Sequence, residues 1–224
     1  MPLGTANNIA RSLGLLHLPL AQQPHHWADA KHIHLDIGNA HGPWGEEGFV
    51  EGMGLGLFAW MMPMADESEK LARITDPEEA LAYALRMLRR RLEEHTPEQV
   101  QATLDGEDIS GAYLMFEALN LPYIGPNLYL APGAKPDDGQ FDVVMIDEAH
   151  RAELLEGIID WHEGKPTPPR LPTRRGAHLK IAPHDGNVHM DDKIWRPGDG
   201  DRPSRGDIEV TLQKAAVEVL VPGD

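Results

Sequence analysis

Apolar positions along the chain follow two periods. Leu81, Leu85, Leu88 and Leu92 recur at steps of three and four, the stripe of an amphipathic helix. Asp76, Pro77 and Glu79 stand where an N-cap, a first-turn proline and a capping-box partner belong, so a helix is predicted over 76–95. A second helix is predicted over 147–163, with Leu154, Leu155, Ile158, Ile159 and Trp161 apolar and Gly164 closing it. A shorter one runs from Ala6 to Leu13 and ends at Gly14. Elsewhere the pattern has strand length. Asn127–Ala131 and Phe141–Ile146 are short apolar runs, and residues 32–37 alternate, with Ile33, Leu35 and Ile37 on one face and His32, His34 and Asp36 on the other. Residues 48–60 read as a glycine-rich strand closely approached by a neighbour. Residues 103–108 suggest a strand and turn, and 112–119 a strand or a short helix. Five further strands are predicted at 178–182, 187–190, 193–195, 207–212 and 216–221. Many short strands with Gly/Pro turns and inserted helices give a mainly β, sandwich-like fold.

Composition narrows the classes. With 41% apolar and 25% charged residues over 224 positions, the chain has the make-up of a globular domain with room for a core. A formal net charge of −16 opposes non-specific phosphate contacts, so nucleic acid is not an expected partner. The absence of cysteine excludes disulfides, thiolate metal sites and cysteine nucleophiles. The longest apolar patch, Leu55 to Met64, is interrupted by Pro63 and is too short to span a bilayer. No secretory signal is visible at the N-terminus, and a soluble, cytoplasmic protein touching a membrane surface at most is expected.

Three stretches carry candidate chemistry. Between the runs at 127–131 and 141–146 lies a turn with Asp137, Asp138 and Gly139. Asp138, with backbone carbonyls around Lys135 and Gln140, offers oxygen ligands to a hard cation, although Asp-Asp-Gly is also ordinary turn chemistry. Residues 2–14 form a small-residue loop feeding a helix, suited either to phosphate groups or to simple capping, with Thr5, Asn7 and Asn8 as hydrogen-bonding side chains. The third is histidine-rich: His25, His26, His32, His34 and His41 crowd one window. A His-x-His pair on a strand binds zinc when a third ligand converges, and is otherwise a solvated face.

Taken in order, PLGTANNIARSLG (2–14), PYIGPNLYLAPGAKPDDGQFDVV (122–144) and HLKIAP…VHMDDKIW (178–195) resemble the diacylglycerol kinase catalytic family, which includes bacterial soluble lipid kinases and sphingosine kinases. The likeness covers most of the chain and is least over 65–110. It implies the β-sandwich lobe of the NAD kinase/diacylglycerol kinase-like fold, with a remnant of the nucleotide-binding lobe at 1–14, the sandwich over 15–224 and a helical insertion at about 66–100. It further implies ATP and Mg²⁺ as cofactors and a lipid substrate at a membrane surface. By the same resemblance, Thr5 is the ATP-contacting threonine, with Asn7 and Asn8 beside it, and Asp138 binds magnesium with the carbonyls of Lys135 and Gln140.

Departures from the family pattern matter as much. Asn7-Asn8 replaces Asn-Asp, and the family's Gly-Gly-Asp-Gly-Thr loop has no counterpart in the sequence. The family's Asp-Gly-Glu aligns with Asp191-Asp192-Lys193, and a charged lysine cannot accept a proton. Asp192 would serve only if a bulge turned it inward. Asp105-Gly106-Glu107 imitates the triplet but comes too early in the order. These departures lead to the expectation of a lipid-kinase fragment with negligible activity as this chain alone, and of a last strand near Val217–Val221 left without support. The alternatives are a non-catalytic lipid- or protein-binding sandwich and a metal-dependent hydrolase built on His32 and His34.

Overall fold

The computed structural model describes residues 5–17, 29–165, 168–198 and 205–221. In chain order the elements are α1 (Asn8–Ser12), β1 (Lys31–Gly42), β2 (Gly45–Phe49), β3 (Gly52–Gly56), α2 (Leu57–Asp66), α3 (Glu69–Ala72) and α4 (Pro77–Glu94). There follow β4 (Glu98–Val100), β5 (Ala102–Leu104), β6 (Glu107–Asp108), β7 (Gly111–Tyr113), β8 (Met115–Leu119), β9 (Tyr123–Ile124), β10 (Leu128–Tyr129) and β11 (Phe141–Ile146). The chain closes with α5 (Arg151–His162), β12 (Thr173–Gly176), β13 (His178–His184), β14 (Val188–Met190), β15 (Lys193–Trp195) and β16 (Gly206–Val221).

Two six-stranded sheets form, ordered β2-β1-β16-β13-β5-β6 and β12-β11-β8-β3-β14-β15. Burial separates their roles. In the second sheet β3, β8 and β11 are buried at every position, which requires cover on both faces. Alternate residues show what covers each face. Met53, Leu55, Phe116, Ala118 and Val143 join Ala40, Leu179 and Val210 in the core between the sheets. Met115, Leu119, Val144 and Ile146 pack instead with Leu57, Phe58, Leu88, Leu92, Leu154 and Ile158 from α2, α4 and α5. The result is a β-sandwich with a helical layer on one outer face.

The sequence reading holds well for the long elements. Phe141–Ile146 is β11. α4 begins after Asp76, whose carboxylate accepts the Glu79 N–H at 2.8 Å. Replacing Asp76 with Ala removes that cap and is expected to cost about 1 kcal/mol in denaturant unfolding. The segment 112–119 is strand, as β7 and β8.

Other expectations are corrected. Residues 48–60 are only partly strand, because Leu57 begins the ten-residue helix α2. Pro63 lies inside that helix and lacks the N–H for the Ala59 carbonyl, which instead lies 3.5 Å from Asn187 Nδ2. The helical segment therefore starts near 57 rather than 66. Of Asn127–Ala131 only Leu128–Tyr129 is strand, paired with β9. The two last strands are one, β16, whose pairing with β1 shifts register between Leu35 and Ile37, where Ala215 adopts φ 51°. That pairing joins Lys31–Leu35 to Val217–Val221, so the last strand is supported within this chain.

The same irregularity removes Asp36 from the histidine face. Its side chain is buried, accepting the N–H groups of Gly139 and Ala215 at 2.7 Å each, while its own N–H donates to the Pro136 carbonyl. One carboxylate thus ties the 132–140 loop to the bulge of β16. No helix among the described residues is long and apolar enough to cross a membrane.

Candidate functional site

The glycine-rich approach to β3 places Glu51 where three segments meet. Its backbone is clamped from one side by Asp191, a residue at φ 50° in the β14–β15 turn. Asp191 accepts the N–H groups of Val50, Glu51 and Gly52 at 2.8, 2.8 and 3.1 Å, and its own N–H donates to the Gly52 carbonyl. From the other side the Glu51 carbonyl accepts the N–H groups of Asn120 and Leu121. With its backbone fixed at both ends, the Glu51 side chain turns toward α1. There Asn8, buried at 3% exposure, donates from Nδ2 to Glu51 Oε2 and to the Gly125 carbonyl, both at 2.9 Å.

This environment changes the acid chemistry of Glu51. Burial pushes its carboxyl up to about 7, the neighbouring Asp191 and Asp192 charges push the same way, and the Asn8 bond and His189 pull against them. In the unfolded chain it titrates near the ordinary glutamate value. Because the folded value is the higher one, the stability Glu51 contributes is present below about pH 4.5 and is lost as pH rises through about 7.

The residues expected from the sequence are distributed around this junction. Asn8 is part of it. Thr5 is exposed ahead of α1, and Asn7 takes the left-handed N-cap conformation at φ 54°. Asp192 is exposed at the tip of the β14–β15 turn, and Lys193 pairs with Glu47 at 2.5 Å. The turn does bring Asp191 inward, but its carboxylate is consumed by backbone N–H groups.

Asp138 lies elsewhere, in the loop held by Asp36. Its Oδ1 accepts the Gln140 N–H at 3.0 Å and its Oδ2 pairs with the Arg175 guanidinium. Asp142 Oδ2 is buried beside the same guanidinium, 3.5 Å from Nε, with no hydrogen-bond partner, and burial raises its carboxyl. Asp138 and Asp142 thus share the Arg175 guanidinium, which supplies the positive charge in this arrangement.

The histidines do not converge. His32 is exposed and pairs with Glu218 at 2.7 Å, and His34 and His41 are exposed, while His25 and His26 lie outside the described residues. Among the described residues no group of three or more His, Asp or Glu could hold a metal ion.

A pocket of about 400 Å³ opens nearby, with an apolar wall of Leu81 and Leu85 of α4, Tyr123, Pro126 and Trp161, and with Arg11, Glu78, Asn127 and His162 as its polar lining. Arg11 lies over the Tyr123 ring, which stacks on Tyr129. Tyr123 and Pro126 flank Gly125, whose carbonyl holds Asn8, so pocket and junction share one loop. Glu51 carried no sequence motif. Its partners are 43 and 140 positions away, and only the Gly-rich flanks marked the segment as crowded.

Comparison with known proteins agrees with this architecture. The family of YegS C-terminal NAD kinase beta sandwich-like domains matches residues 64–221, and the chain belongs to it. No curated protein sequence matches. Among solved structures, "A putative diacylglycerol kinase from Bacillus anthracis str. Sterne" superposes with a TM-score of 0.68 at 19% identity, over 96% of this chain and 65% of that one. Another, described as a diacylglycerol kinase of the same organism, gives 0.67 at 18% identity, again over 96% and 65%. At that identity the likeness is one of fold, and the chain spans about 65% of the length of these relatives.

Proposed function

We propose that this chain forms the β-sandwich lobe of an ATP-dependent lipid kinase that phosphorylates a lipid hydroxyl such as that of diacylglycerol. The observation that carries the reading is the junction of α1, the Glu51 segment and the β14–β15 turn beside an apolar pocket. An acyl chain suits the apolar wall of Leu81, Leu85, Tyr123, Pro126 and Trp161, while Arg11 and Glu78 give the same pocket groups of both charges for a polar head. Thr5, Asn7 and Asn8 at the start of α1 are the side chains proposed to meet ATP.

Asp138, with the carbonyls of Lys135 and Gln140, would hold Mg²⁺, taking over charge that Arg175 now provides. A hard cation there would stiffen the loop that Asp36 anchors. The exposed Trp60 and Met64 of α2 offer apolar contact to a cytoplasmic membrane surface, where such a substrate resides.

One observation favours a second reading, a non-catalytic lipid-binding sandwich: Lys193 is locked to Glu47 in the place where the resemblance expects a proton acceptor. Binding measurements separate the two. Under the kinase reading, Mg·ATP and diacylglycerol micelles both bind, and the lipid quenches indole fluorescence in a way that Trp161→Phe abolishes. Lipid binding without nucleotide binding supports the module, and binding of neither overturns both readings.

A further inference from the structure

We propose that Glu51 is the proton-accepting residue of this site, a catalytic role that rests on the lipid-kinase reading above. Phosphoryl transfer to an alcohol needs a group to receive the hydroxyl proton as the oxygen attacks. Around the junction the other candidates are spent or misplaced. The Asp191 carboxylate holds three backbone N–H groups. Asp192 is solvent-exposed, and Glu47 is paired with Lys193. Lys193 carries its proton already, and Glu47 raises its affinity for it further.

Glu51 alone combines a fixed backbone, a half-buried carboxylate and an unused oxygen. Asn8 holds Oε2, which orients the group and leaves Oε1 without a hydrogen-bond partner among the described residues. The Asn8 amide also bonds the Gly125 carbonyl, in the loop that walls the apolar pocket. The pocket is lined by Tyr123 and Pro126 on either side of Gly125, so a lipid seated there lies against the loop that Asn8 ties to Glu51. Burial keeps the Glu51 carboxyl titrating near neutrality, the range in which a base both exists as carboxylate and binds a proton well.

The step balances without further reactants. The hydroxyl proton passes to a Glu51 carboxylate oxygen, and the lipid oxygen forms a bond to the γ-phosphorus. The bond from that phosphorus to the β–γ bridging oxygen breaks, and its electron pair leaves with ADP. Asn8 is a positioning residue: it touches Glu51, and its loss would let the carboxylate turn away.

The test compares the native protein as its source cells make it with its Glu51→Gln and Asp207→Asn variants, assaying ATP-dependent phosphorylation of diacylglycerol in mixed micelles from pH 5 to 9. General-base catalysis is worth on the order of 10²–10⁴ in rate. Glu51→Gln is therefore expected to lower kcat by at least about 100-fold, with KM for ATP and lipid within about threefold. It should also abolish the acidic limb of the kcat/KM profile near pH 7, while Asp207→Asn, at an exposed position of β16, stays within about threefold of the native rate. Independently of activity, the Glu51 carboxyl carbon followed by NMR should titrate near neutrality. At pH 8 the Gln variant should melt no lower than the native protein, since a carboxylate kept for catalysis costs stability there.

Native-like kcat in Glu51→Gln overturns the proposal and leaves the kinase reading standing. A variant less stable than native at pH 8 makes Glu51 structural and overturns it too. If the native protein binds ATP and lipid yet transfers no phosphoryl group, the kinase reading falls and the proposal with it.

Discussion

Gly54→Ala is expected to unfold the protein at a temperature on the order of 10 °C below the native one. Gly54 pairs with Glu117 of β8 on one side and His189 of β14 on the other, so the three form one row across the second sheet. Glu117 and His189 meet above the glycine on the helix-facing side, Oε2 to Nε2 at 2.7 Å, with both side chains fully buried. Phe58 of α2 closes over them, edge-on to the imidazole with centroids 4.9 Å apart. A methyl carbon at position 54 would lie 2.0 Å from Glu117 Oε2 and 2.3 Å from its Cδ. No rotamer adjustment at the tip of a free side chain relieves that contact, because the carboxyl is enclosed on every side. The pair must separate, and breaking a buried pair costs about 3–5 kcal/mol. For a chain of this size each kcal/mol moves the midpoint by roughly 2–4 °C. Gly48→Ala, where the nearest atom is 3.7 Å away, is the control and should change little. A native-like melting temperature for Gly54→Ala would mean that the pair has room to move aside.

Asp36→Ala should cost about 2–4 kcal/mol, because it strands the buried Gly139 N–H at about 1–3 kcal/mol and removes a hydrogen bond worth about 1 kcal/mol from the more exposed Ala215 N–H. The Gly139 and Ala215 N–H groups both point at this carboxylate, which is 1% exposed. Their loss frees the Gly139 turn from the bulge of β16, while the Asp36 N–H still holds the Pro136 carbonyl. Asp36→Asn keeps one acceptor oxygen and should lose about half as much. Guanidinium unfolding checks the free energies, and amide exchange at Gly139 and Ala215 checks the cause: both should accelerate in Asp36→Ala while β11 amides exchange only through global unfolding. Unchanged exchange at those two amides would show that the carboxylate is not their anchor.

Elements were legible in the sequence where one local signal sufficed. The apolar run Phe141–Ile146, interrupted only by Asp142, announced a strand, and Asp76-Pro77 announced the start of α4. Gly54 was legible as a close approach, though not what approached it. Failures came where meaning depended on distant partners. Leu57–Asp66 follows four glycines and contains Pro63, so local propensity concealed a helix that tertiary packing stabilises through Leu57, Phe58 and Met61. Strands at 207–212 and 216–221 were expected as two, whereas the bulge opposite Asp36 carries a single strand through the residues between them. Asp36 itself looked like a member of the His32 and His34 face, because a one-residue irregularity is invisible to a period-two pattern.

The site follows the same division. The resemblance pointed to Asn8 and the 191–193 turn as candidates, and in the fold Asn8 and Asp191 both bond to Glu51. Glu51 went unnoticed because an acidic residue in a glycine-rich stretch reads as solvent-facing. Its environment is built by Asn8, Leu121 and Asp191, and no window of sequence holds all three.

Transfer of label from [γ-³²P]ATP to diacylglycerol by the protein isolated from its source cells is the most direct measurement. A labelled lipid that co-migrates with phosphatidic acid, requires Mg²⁺ and is absent when Leu85→Trp fills the apolar pocket is the predicted result. Unlabelled lipid across a panel of diacylglycerol, ceramide and sphingosine, from protein that binds those lipids, would contradict the kinase reading and leave a lipid-binding sandwich.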